Sequence, residues 1–376
     1  MTVLIENCTL FDGEKTHYKA RLAFVEGKVI DPNQAGTCQT IDFAGDWLVP
    51  GFIDIQVNGG GGVMLNDQPN AEAIQTIASA HRRYGTTSML PTLITDSAEK
   101  MLALADVYRH SAAELPSVLG IHYEGPHINP EKSGVHEIRF MRPLDDATRI
   151  SCRKVLDAGG SCLVTLAPEK LSIDDINDLS AMGCIVFAGH TNATVDIIRQ
   201  AQANGLDGFT HLHNAMRAIL NREPGAVGAA LTSDCWCSII VDGHHLHPDI
   251  VRLTLSARQD HNKMILVTDA MGTVGATKKS FSLYGNTIHA VDGKCATEDG
   301  TLAGSDLDMI SAVKNTVNQG QVSIETALKM ASANPAKLLK REDLGHLKPG
   351  ARADMVRLTP SLYVKSTWVQ GEAEHY

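Results

Sequence analysis

The strongest constraint on the fold of this chain is a regular alternation of short apolar runs with longer segments between residues 50 and 340. The runs are rich in β-branched residues, which is typical of buried strands. There are eight of them, at residues 51–56, 86–93, 118–125, 162–169, 183–190, 208–214, 237–245 and 264–270. Strands that alternate with helical segments favour βα units and a parallel sheet.

Several of the intervening segments carry apolar residues at helical spacing. One set falls at i, i+3, i+4 and i+7 and comprises Met101, Leu104, Ala105 and Tyr108. A second set shares one predicted helix face and comprises Ile250, Leu253 and Ala257. Eight parallel strands with outer helices predict an α/β fold of the TIM-like (βα)8 barrel type.

The two ends of the chain differ from this central part. Residues 1–50 have the pattern of short strands separated by turn signals such as Asp12-Gly13, and residues 345–376 have the same character. Because domain termini often lie close together, the two ends are predicted to pair into one small β-sandwich domain. The predicted division is therefore 1–50 with 345–376 for the β-domain and 51–344 for the barrel.

The charge balance argues against two classes of partner. The chain has 33 basic and 43 acidic residues, a net charge of −10 with histidine neutral. A general binder of nucleic acid or of a membrane surface needs a basic footprint, so neither partner is expected. An anionic small molecule remains compatible if a few basic groups converge locally.

Cysteine usage and the N-terminal segment predict a cytoplasmic protein. The eight cysteines occur in a chain too long to need disulfide staples, so we expect them to be reduced. The N-terminal residues have no basic region followed by a long apolar stretch, and no apolar run approaches the length of a membrane span. We therefore expect neither a leader nor a membrane anchor.

Chemically useful side chains recur at the ends of the predicted strands, where barrel enzymes place their reactive groups. Glu124 ends the third strand, His190 the fifth and His211 the sixth. A carboxylate and two imidazoles match the ligand set of a catalytic zinc site whose fourth position is left to water. A single histidine is more often a hydrogen-bonded structural residue, and only the convergence of several ligands favours a metal site.

Asp269 ends the eighth predicted strand in the segment LVTDAMG. A carboxylate facing an activated water could take its proton and later return it to a leaving group. The alternative is that Asp269 caps a following helix. A metal site with such a base would serve the hydrolysis of an amide or ester.

Six segments follow one another in register along nearly the whole chain: GFIDIQVNG, HYEGPHINPEKSGVH, AGHTNAT, THLHNAM, REPG and VTDA. Together they resemble the N-acetylglucosamine-6-phosphate deacetylases, a family of the amidohydrolase superfamily. The C-terminal segment PGARADMV resembles the return of that superfamily to its small β-domain. The resemblance implies a metal-dependent (βα)8 hydrolase with a terminal β-domain.

The first predicted strand departs from a pattern common in this superfamily. Many members carry DxHxH there, and its two histidines hold a second metal, whereas here Asp54 is followed by Gln56 and Asn58. Neutral amides are poor ligands for a zinc-type ion. The resemblance thus implies one divalent metal per subunit, zinc or else ferrous iron or another divalent ion, with Gln56 near its water or the substrate. Alternatively, the two amides hydrogen-bond the glycine-rich loop 59–62.

The resemblance also implies the residues that bind substrate. His136 resembles the histidine that polarises the acetamide carbonyl. Arg222 resembles an arginine that reaches the phosphate from the neighbouring subunit, which implies a homodimer. The other implied substrate contacts are Val135, Asn214, Ala215, His245 and a loop formed by Leu302, Ala303 and Gly304.

The function implied by the resemblance is hydrolysis of the acetamide of N-acetylglucosamine 6-phosphate to glucosamine 6-phosphate and acetate, in amino-sugar catabolism. One alternative is the same reaction on another N-acyl substrate, such as N-acetylgalactosamine 6-phosphate or an N-acyl amino acid. A second alternative is a non-catalytic scaffold that has lost its metal. Such a loss normally removes ligands or the acid of the eighth strand, and here all four residues are present.

Overall fold

The computed structural model of the chain describes residues 1–258, 260–298 and 300–376. The chain begins with five strands, β1 (Val3–Phe11), β2 (Thr16–Val25), β3 (Lys28–Ile30), β4 (Gln39–Asp42) and β5 (Trp47–Pro50). The long strand β1 pairs with β2, β4 and β5, so it lies at the centre of this part of the molecule.

Ten further strands follow and include the eight that the sequence predicts for the barrel. They are β6 (Phe52–Val57), β7 (Gly59–Gly60), β8 (Val63–Met64), β9 (Thr86–Ile94), β10 (Gly120–Glu124), β11 (Ser161–Leu166), β12 (Ile185–Ala188), β13 (Gly208–Phe209), β14 (Trp236–Ile239) and β15 (Met264–Leu266). All except the short β7–β8 pair form one sheet in the order β15-β14-β13-β12-β11-β10-β9-β6. A parallel bridge between Val57 and Ala270 joins its two edges. The predicted eight-stranded barrel is confirmed.

Helices surround the barrel: α1 (Ala71–Arg82), α2 (Ala98–Ser111), α3 (Asp146–Asp157), α4 (Ile173–Met182), α5 (Val195–Ala203), α6 (Gly225–Leu231), α7 (Pro248–Ala257), α8 (Met309–Gly320), α9 (Ile324–Ala331) and α10 (Ala333–Leu338). Polar side chains start several of them, and the hydroxyl of Ser97 accepts the backbone N–H of Lys100 at the start of α2. Strands β6 and β9 are buried along their whole length because helices cover one face and the barrel interior the other.

One of the two predicted helix faces is confirmed and the other is wrong. All four apolar residues predicted to face inward from α2 are buried. In α7, Leu253 is 55% exposed, whereas Val251 and Leu255 are buried. The apolar residues of this short helix lie around most of its circumference, so their spacing did not determine which face packs inward.

A four-stranded antiparallel sheet lies between the eighth barrel strand and α8, where the sequence analysis predicts no element. Its strands are β16 (Ser280–Leu283), β17 (Asn286–Val291), β18 (Lys294–Ala296) and β19 (Leu302–Ser305). Phe281 and Ile288 of this sheet pack with Ile94 and Met271, which follow or end barrel strands. The insert sheet, defined as β16–β19, therefore rests on the end of the barrel where the strands terminate.

The chain ends with strands β20 (Met355–Leu358), β21 (Val364–Val369) and β22 (Glu372–His375). They join the first five strands in one eight-stranded sheet of order β22-β21-β20-β5-β1-β2-β3, with β4 beside β1. This sheet has its own apolar core, which includes Phe43, Leu48, Met355 and Trp368. The two ends of the chain thus form one β-rich unit beside the barrel, while the domain division at residues 50 and 345 stays a prediction. None of the described helices is long and apolar enough to cross a membrane.

Candidate active site

Three of the predicted side chains converge at the carboxyl ends of the barrel strands. Glu124 is the last residue of β10, and His190 and His211 follow β12 and β13. Glu124 Oε1 lies 3.2 Å from His190 Nε2 and 2.9 Å from His211 Nε2, and the two Nε2 atoms are 3.1 Å apart. The exposed fractions of the three residues are 1%, 6% and 4%. They form a buried cluster at the inner end of an open cavity.

The backbone at these positions is in an uncommon conformation. The φ angles of His190, His211 and Asp269 are 48°, 34° and 52°, in the left-handed region that residues other than glycine seldom occupy. Such a conformation costs about 1–3 kcal/mol per residue and persists only where the surrounding structure imposes it. The barrel therefore holds three converging side chains in place at the expense of local backbone strain.

The protonation pattern of the cluster fits a bound cation. His190 Nδ1 lies 2.8 Å from the backbone oxygen of Lys132, which can only accept, so Nδ1 carries the ring proton and Nε2 carries a lone pair. That lone pair faces Glu124 Oε1, which is also an acceptor. Burial opposes ionisation of Glu124, but the neighbouring His190, His211 and His136 together outweigh burial and hold its pKa well below the usual value. One carboxylate oxygen and two imidazole nitrogens that meet in this way form a set of potential ligands that suits a divalent metal.

The two amides of the first barrel strand hold carboxylates. Gln56 Nε2 donates to Glu124 Oε1 at 3.0 Å and to Asp269 Oδ1 at 3.2 Å. Asn58 Nδ2 donates to Asp269 Oδ1 at 2.6 Å. The alternative that these side chains hydrogen-bond the glycine-rich loop is wrong, because the loop N–H groups of Gly59, Gly61 and Gly62 bond to the backbone of residues 270–274. The neutral amide of Gln56 thus lies between the carboxylates of Glu124 and Asp269, which would otherwise repel each other.

Asp269 follows β15 and is 8% exposed. Burial and, after it, the nearby negative charge of Glu124 raise the pKa of its carboxyl group to about 6. The alternative that Asp269 caps a helix is wrong, since the next described α-helix begins at Met309. Asp269 is therefore a carboxylate poised to exchange a proton near neutral pH.

His136 lies beside the cluster, with its ring centroid 4.3 Å from that of His190. Burial, together with the neighbouring His190, lowers the pKa of His136 to about 3, so the ring is neutral. Its Nδ1 lies 2.8 Å from the hydroxyl oxygen of Thr95 and 3.4 Å from the backbone nitrogen of the same residue. The other ring nitrogen, Nε2, is left for the cavity.

A cavity of about 390 Å³ opens onto this cluster. Most of the predicted substrate contacts line it, namely Val135, His136, Asn214, Ala215, His245, Leu302 and Gly304. The other three do not line it: Gln56 is 1% exposed beneath the carboxylates, Ala303 is fully buried, and Arg222 is exposed on the surface.

The predicted loop of residues 302–304 is a strand, β19, and this corrects the sequence analysis. Side chains alternate along a strand, so Leu302 and Gly304 face the cavity while Ala303 packs on the opposite side. Gly304 has a φ of +59°, and a Cβ atom there would lie 2.8 Å from the backbone oxygen of Asp269. Only glycine permits this close approach to the end of β15.

The model of the protein family described as "Amidohydrolase family" matches residues 47–373. The chain belongs to the amidohydrolase family.

Named relatives of this amidohydrolase act on amino-sugar phosphates. An N-acetylgalactosamine-6-phosphate deacetylase of Shewanella sp. (strain ANA-3) is 40% identical over 86% of this chain and 82% of the relative. An N-acetylglucosamine-6-phosphate deacetylase of Haemophilus influenzae is 35% identical over 89% of this chain and 88% of the relative. The crystal structure of N-acetylglucosamine-6-phosphate deacetylase from Pasteurella multocida matches with a TM-score of 0.95 and 34% identity over 100% of both chains. The resemblance to this family is confirmed.

Sequence reasoning missed a cation in the cavity of the amidohydrolase. Lys132 lines the cavity, and its backbone oxygen orients His190. Glu131 beside it lines the cavity as well, as do Ile94 and Met271. Lys132 lies within the segment HYEGPHINPEKSGVH, between Glu124 and His136. The position of Lys132 between Glu124 and His136 in the sequence could have identified it as a residue of the site.

Two other features of the amidohydrolase do not have the properties of its active site. The sulfur atoms of Cys152, Cys162 and Cys184 lie within 4.8 Å of one another, but all three residues are buried in the barrel wall and none lines the cavity. A catalytic metal needs a position open to water and substrate.

A larger cavity of about 780 Å³ beside α9 and α10 is rich in lysine. Among the described residues, no cluster of metal-ligand groups lies there.

Proposed function

We propose that this amidohydrolase cleaves the acetamide of N-acetylglucosamine 6-phosphate and releases glucosamine 6-phosphate and acetate. The observation that carries the proposal is the buried cluster of Glu124, His190 and His211, which lies beside Asp269 at the end of an open cavity. A volume of about 390 Å³ suits a molecule of the size of a hexosamine phosphate.

Each of the site residues has a separate role in the proposed reaction. A divalent ion bound by Glu124, His190 and His211 would act as a Lewis acid on the carbonyl and make a water molecule more acidic. Asp269 takes a proton from the attacking water while the water oxygen bonds to the carbonyl carbon. His136 donates a hydrogen bond to the carbonyl oxygen as negative charge develops there. Asp269 then returns the proton to the nitrogen as the C–N bond breaks.

The proposal includes one divalent metal per subunit, and zinc is the ion that we propose. Gln56 and Asn58 stand where a second metal would need imidazoles, and both use their N–H groups on carboxylates. Two imidazoles and a carboxylate also suit ferrous iron. Metal analysis of the purified protein distinguishes these ions.

The phosphate is proposed to bind at the cavity mouth with help from a second subunit. Arg222 is exposed in the segment between β13 and α6, and no ion pair to it occurs among the described residues. Ile219 and Leu220 beside it are 51% and 60% exposed, which is typical of a surface that a partner covers. The exposure of Arg222 and of its apolar neighbours supports a homodimer in which Arg222 reaches the partner's cavity, where it would act together with Lys132.

We expect Arg222→Ala to raise KM for the phosphorylated sugar strongly and to leave the weak turnover of the unphosphorylated sugar nearly unchanged. The net charge of −10 disfavours an anionic substrate, so binding depends on local cations. Steady-state kinetics on the two sugars measures the difference, and Arg139→Ala, at another exposed arginine, is the matched control. An equal loss on both sugars would contradict a role in phosphate binding.

Subunit mixing tests whether Arg222 acts across the interface. In a dimer of one Arg222→Ala chain and one Asp269→Asn chain, a trans-acting Arg222 leaves one site with both groups intact. Activity should then exceed that of either parent. If Arg222 serves its own chain, each site keeps one defect, and no recovery follows after verified subunit exchange.

N-acetylgalactosamine 6-phosphate is the second candidate substrate, because the Shewanella relative that carries this name is 40% identical. The two sugars differ in the orientation of a single hydroxyl group. The test of the proposed function is a comparison of kcat/KM for both phosphorylated sugars, for N-acetylglucosamine and for an N-acyl amino acid. Acetate release from neither phosphorylated sugar would refute the proposal, and a preference for one of them assigns the substrate.

We propose a cytoplasmic location on the basis of the cysteines. All eight are free, although the sulfur atoms of Cys152, Cys162 and Cys184 lie close together in the protein interior. An oxidising compartment would favour disulfides among such neighbours. Neither a nucleic acid nor a membrane is a proposed partner, in keeping with the acidic charge balance.

A further inference from the structure

Tyr284 occupies the tip of the hairpin between β16 and β17. Leu283 pairs with Asn286, so Tyr284 and Gly285 form a two-residue turn, with φ angles of 49° and 86°. Asparagine, aspartate or glycine usually fills the first position of such a turn, and an aromatic residue there is uncommon. An outlier of this kind suggests that the side chain has a function that offsets its backbone strain.

The hydroxyl of Tyr284 donates a hydrogen bond to the backbone oxygen of Thr95, which follows barrel strand β9. This bond joins the insert sheet to the barrel wall. Tyr284 itself does not line the cavity at the active site. Among the described residues, the hydrogen bond to Thr95 links its hydroxyl to the active site.

Thr95 is 1% exposed and holds His136. Its hydroxyl oxygen lies 2.8 Å from His136 Nδ1, and its backbone N–H donates to the same nitrogen at 3.4 Å. A backbone N–H can only donate, so Nδ1 accepts and the ring proton lies on Nε2. The Thr95 hydroxyl then donates to Nδ1 at 2.8 Å in preference to the backbone oxygen of Glu124 at 3.3 Å. A tautomer with the proton on Nδ1 would present a lone pair to the substrate carbonyl oxygen instead of a donor.

We propose that Tyr284 is a positioning residue that, through Thr95, holds His136 in the tautomer and orientation that donate to the substrate carbonyl. The inference rests on the proposed function, because it presupposes a carbonyl oxygen at His136. The insert sheet thereby affects the active site in two ways. Strand β19 lines the cavity, and Tyr284 at the hairpin tip holds the hydrogen-bond donor His136.

The kinetic test is a double-mutant cycle. Tyr284→Phe removes only the hydroxyl and should lower kcat about tenfold, which corresponds to one hydrogen bond of about 1.4 kcal/mol, with little change in KM. In a His136→Gln background, which itself loses on the order of 10²–10³-fold, Tyr284→Phe should have no further effect. Tyr363→Phe, at a tyrosine that is 65% exposed, is the matched control and should leave kcat unchanged. Equal losses from Tyr284→Phe in both backgrounds, or a loss confined to KM, would overturn the proposal.

A second measurement does not depend on activity. The ¹⁵N chemical shifts of the His136 ring report which nitrogen carries the proton, and the wild-type enzyme should show the proton on Nε2. Tyr284→Phe and Thr95→Val should both shift this population, whereas Thr95→Ser, which keeps the hydroxyl, should restore it. An unchanged tautomer in Tyr284→Phe overturns the inference. Absence of deacetylation by the wild-type enzyme would instead refute the proposed function.

Discussion

Replacement of Asp269 by asparagine should lower kcat by about 10²–10⁴-fold, the usual contribution of a general acid–base group. The amide keeps the shape of the carboxyl group but cannot take a proton from water or return one to the leaving nitrogen. The cluster of Glu124, His190 and His211 is untouched by the change, so one metal per chain should remain. Steady-state kinetics combined with metal analysis measures both results.

The matched control for this prediction is Asp234→Asn, which neutralises an exposed aspartate on the protein surface. It should retain wild-type kcat. The Asp269→Asn protein should also bind the phosphorylated sugar with near-normal affinity, since the carboxylate is assigned to proton transfer. Turnover by Asp269→Asn close to the wild-type rate would show that another group is the base.

Removal of the metal should lower activity by more than about 10³-fold, because Lewis-acid polarisation is worth several kcal/mol and each 1.36 kcal/mol is tenfold in rate. Dialysis against a chelator tests this, and one equivalent of Zn²⁺ per chain should restore the rate. His211→Ala removes one of the three proposed ligands and should lose both the metal and the activity.

The control for the metal prediction is Cys162→Ala, in the other cluster of metal-ligand groups. That cluster does not line the cavity, so metal content and the chelator response should stay as in the wild type. Two tightly bound metals per active site, with Gln56 or Asn58 as ligands, would contradict the proposed stoichiometry. Full activity of metal-free protein would contradict the assigned role of the cluster.

The role of the amides illustrates where sequence reasoning stopped. The presence of Gln56 and Asn58 in place of two histidines was visible in the sequence and pointed to a single metal. That Gln56 would bridge Glu124 and Asp269, and that Asn58 would donate to Asp269, was not visible. The partners of a buried amide depend on which strand ends face each other across the barrel, and these contacts join residues 68 and 213 positions apart.

The insert sheet shows the same limit for secondary structure. Its strands are three to six residues long, and the segment offers neither a long apolar run nor a helical period. The sheet is stabilised mainly by an apolar cluster with Met64, Ile94 and Met271, which are distant in sequence. Tyr284 could be recognised as a contact of Thr95 only after these segments had been placed together.

The sequence by itself determined the barrel, its eight strands and the meeting of Glu124, His190 and His211 at the strand ends. The physical reason is that parallel strands in a closed barrel all end at the same edge, so polar residues at successive strand ends must meet there. Only the tertiary structure decided how those residues are held: the lone pair of His190 is fixed by Lys132, the carboxylates are bridged by Gln56, and His136 is oriented by Thr95. These contacts follow from the packing of loops and insert over the barrel mouth, which no local periodicity of the sequence encodes.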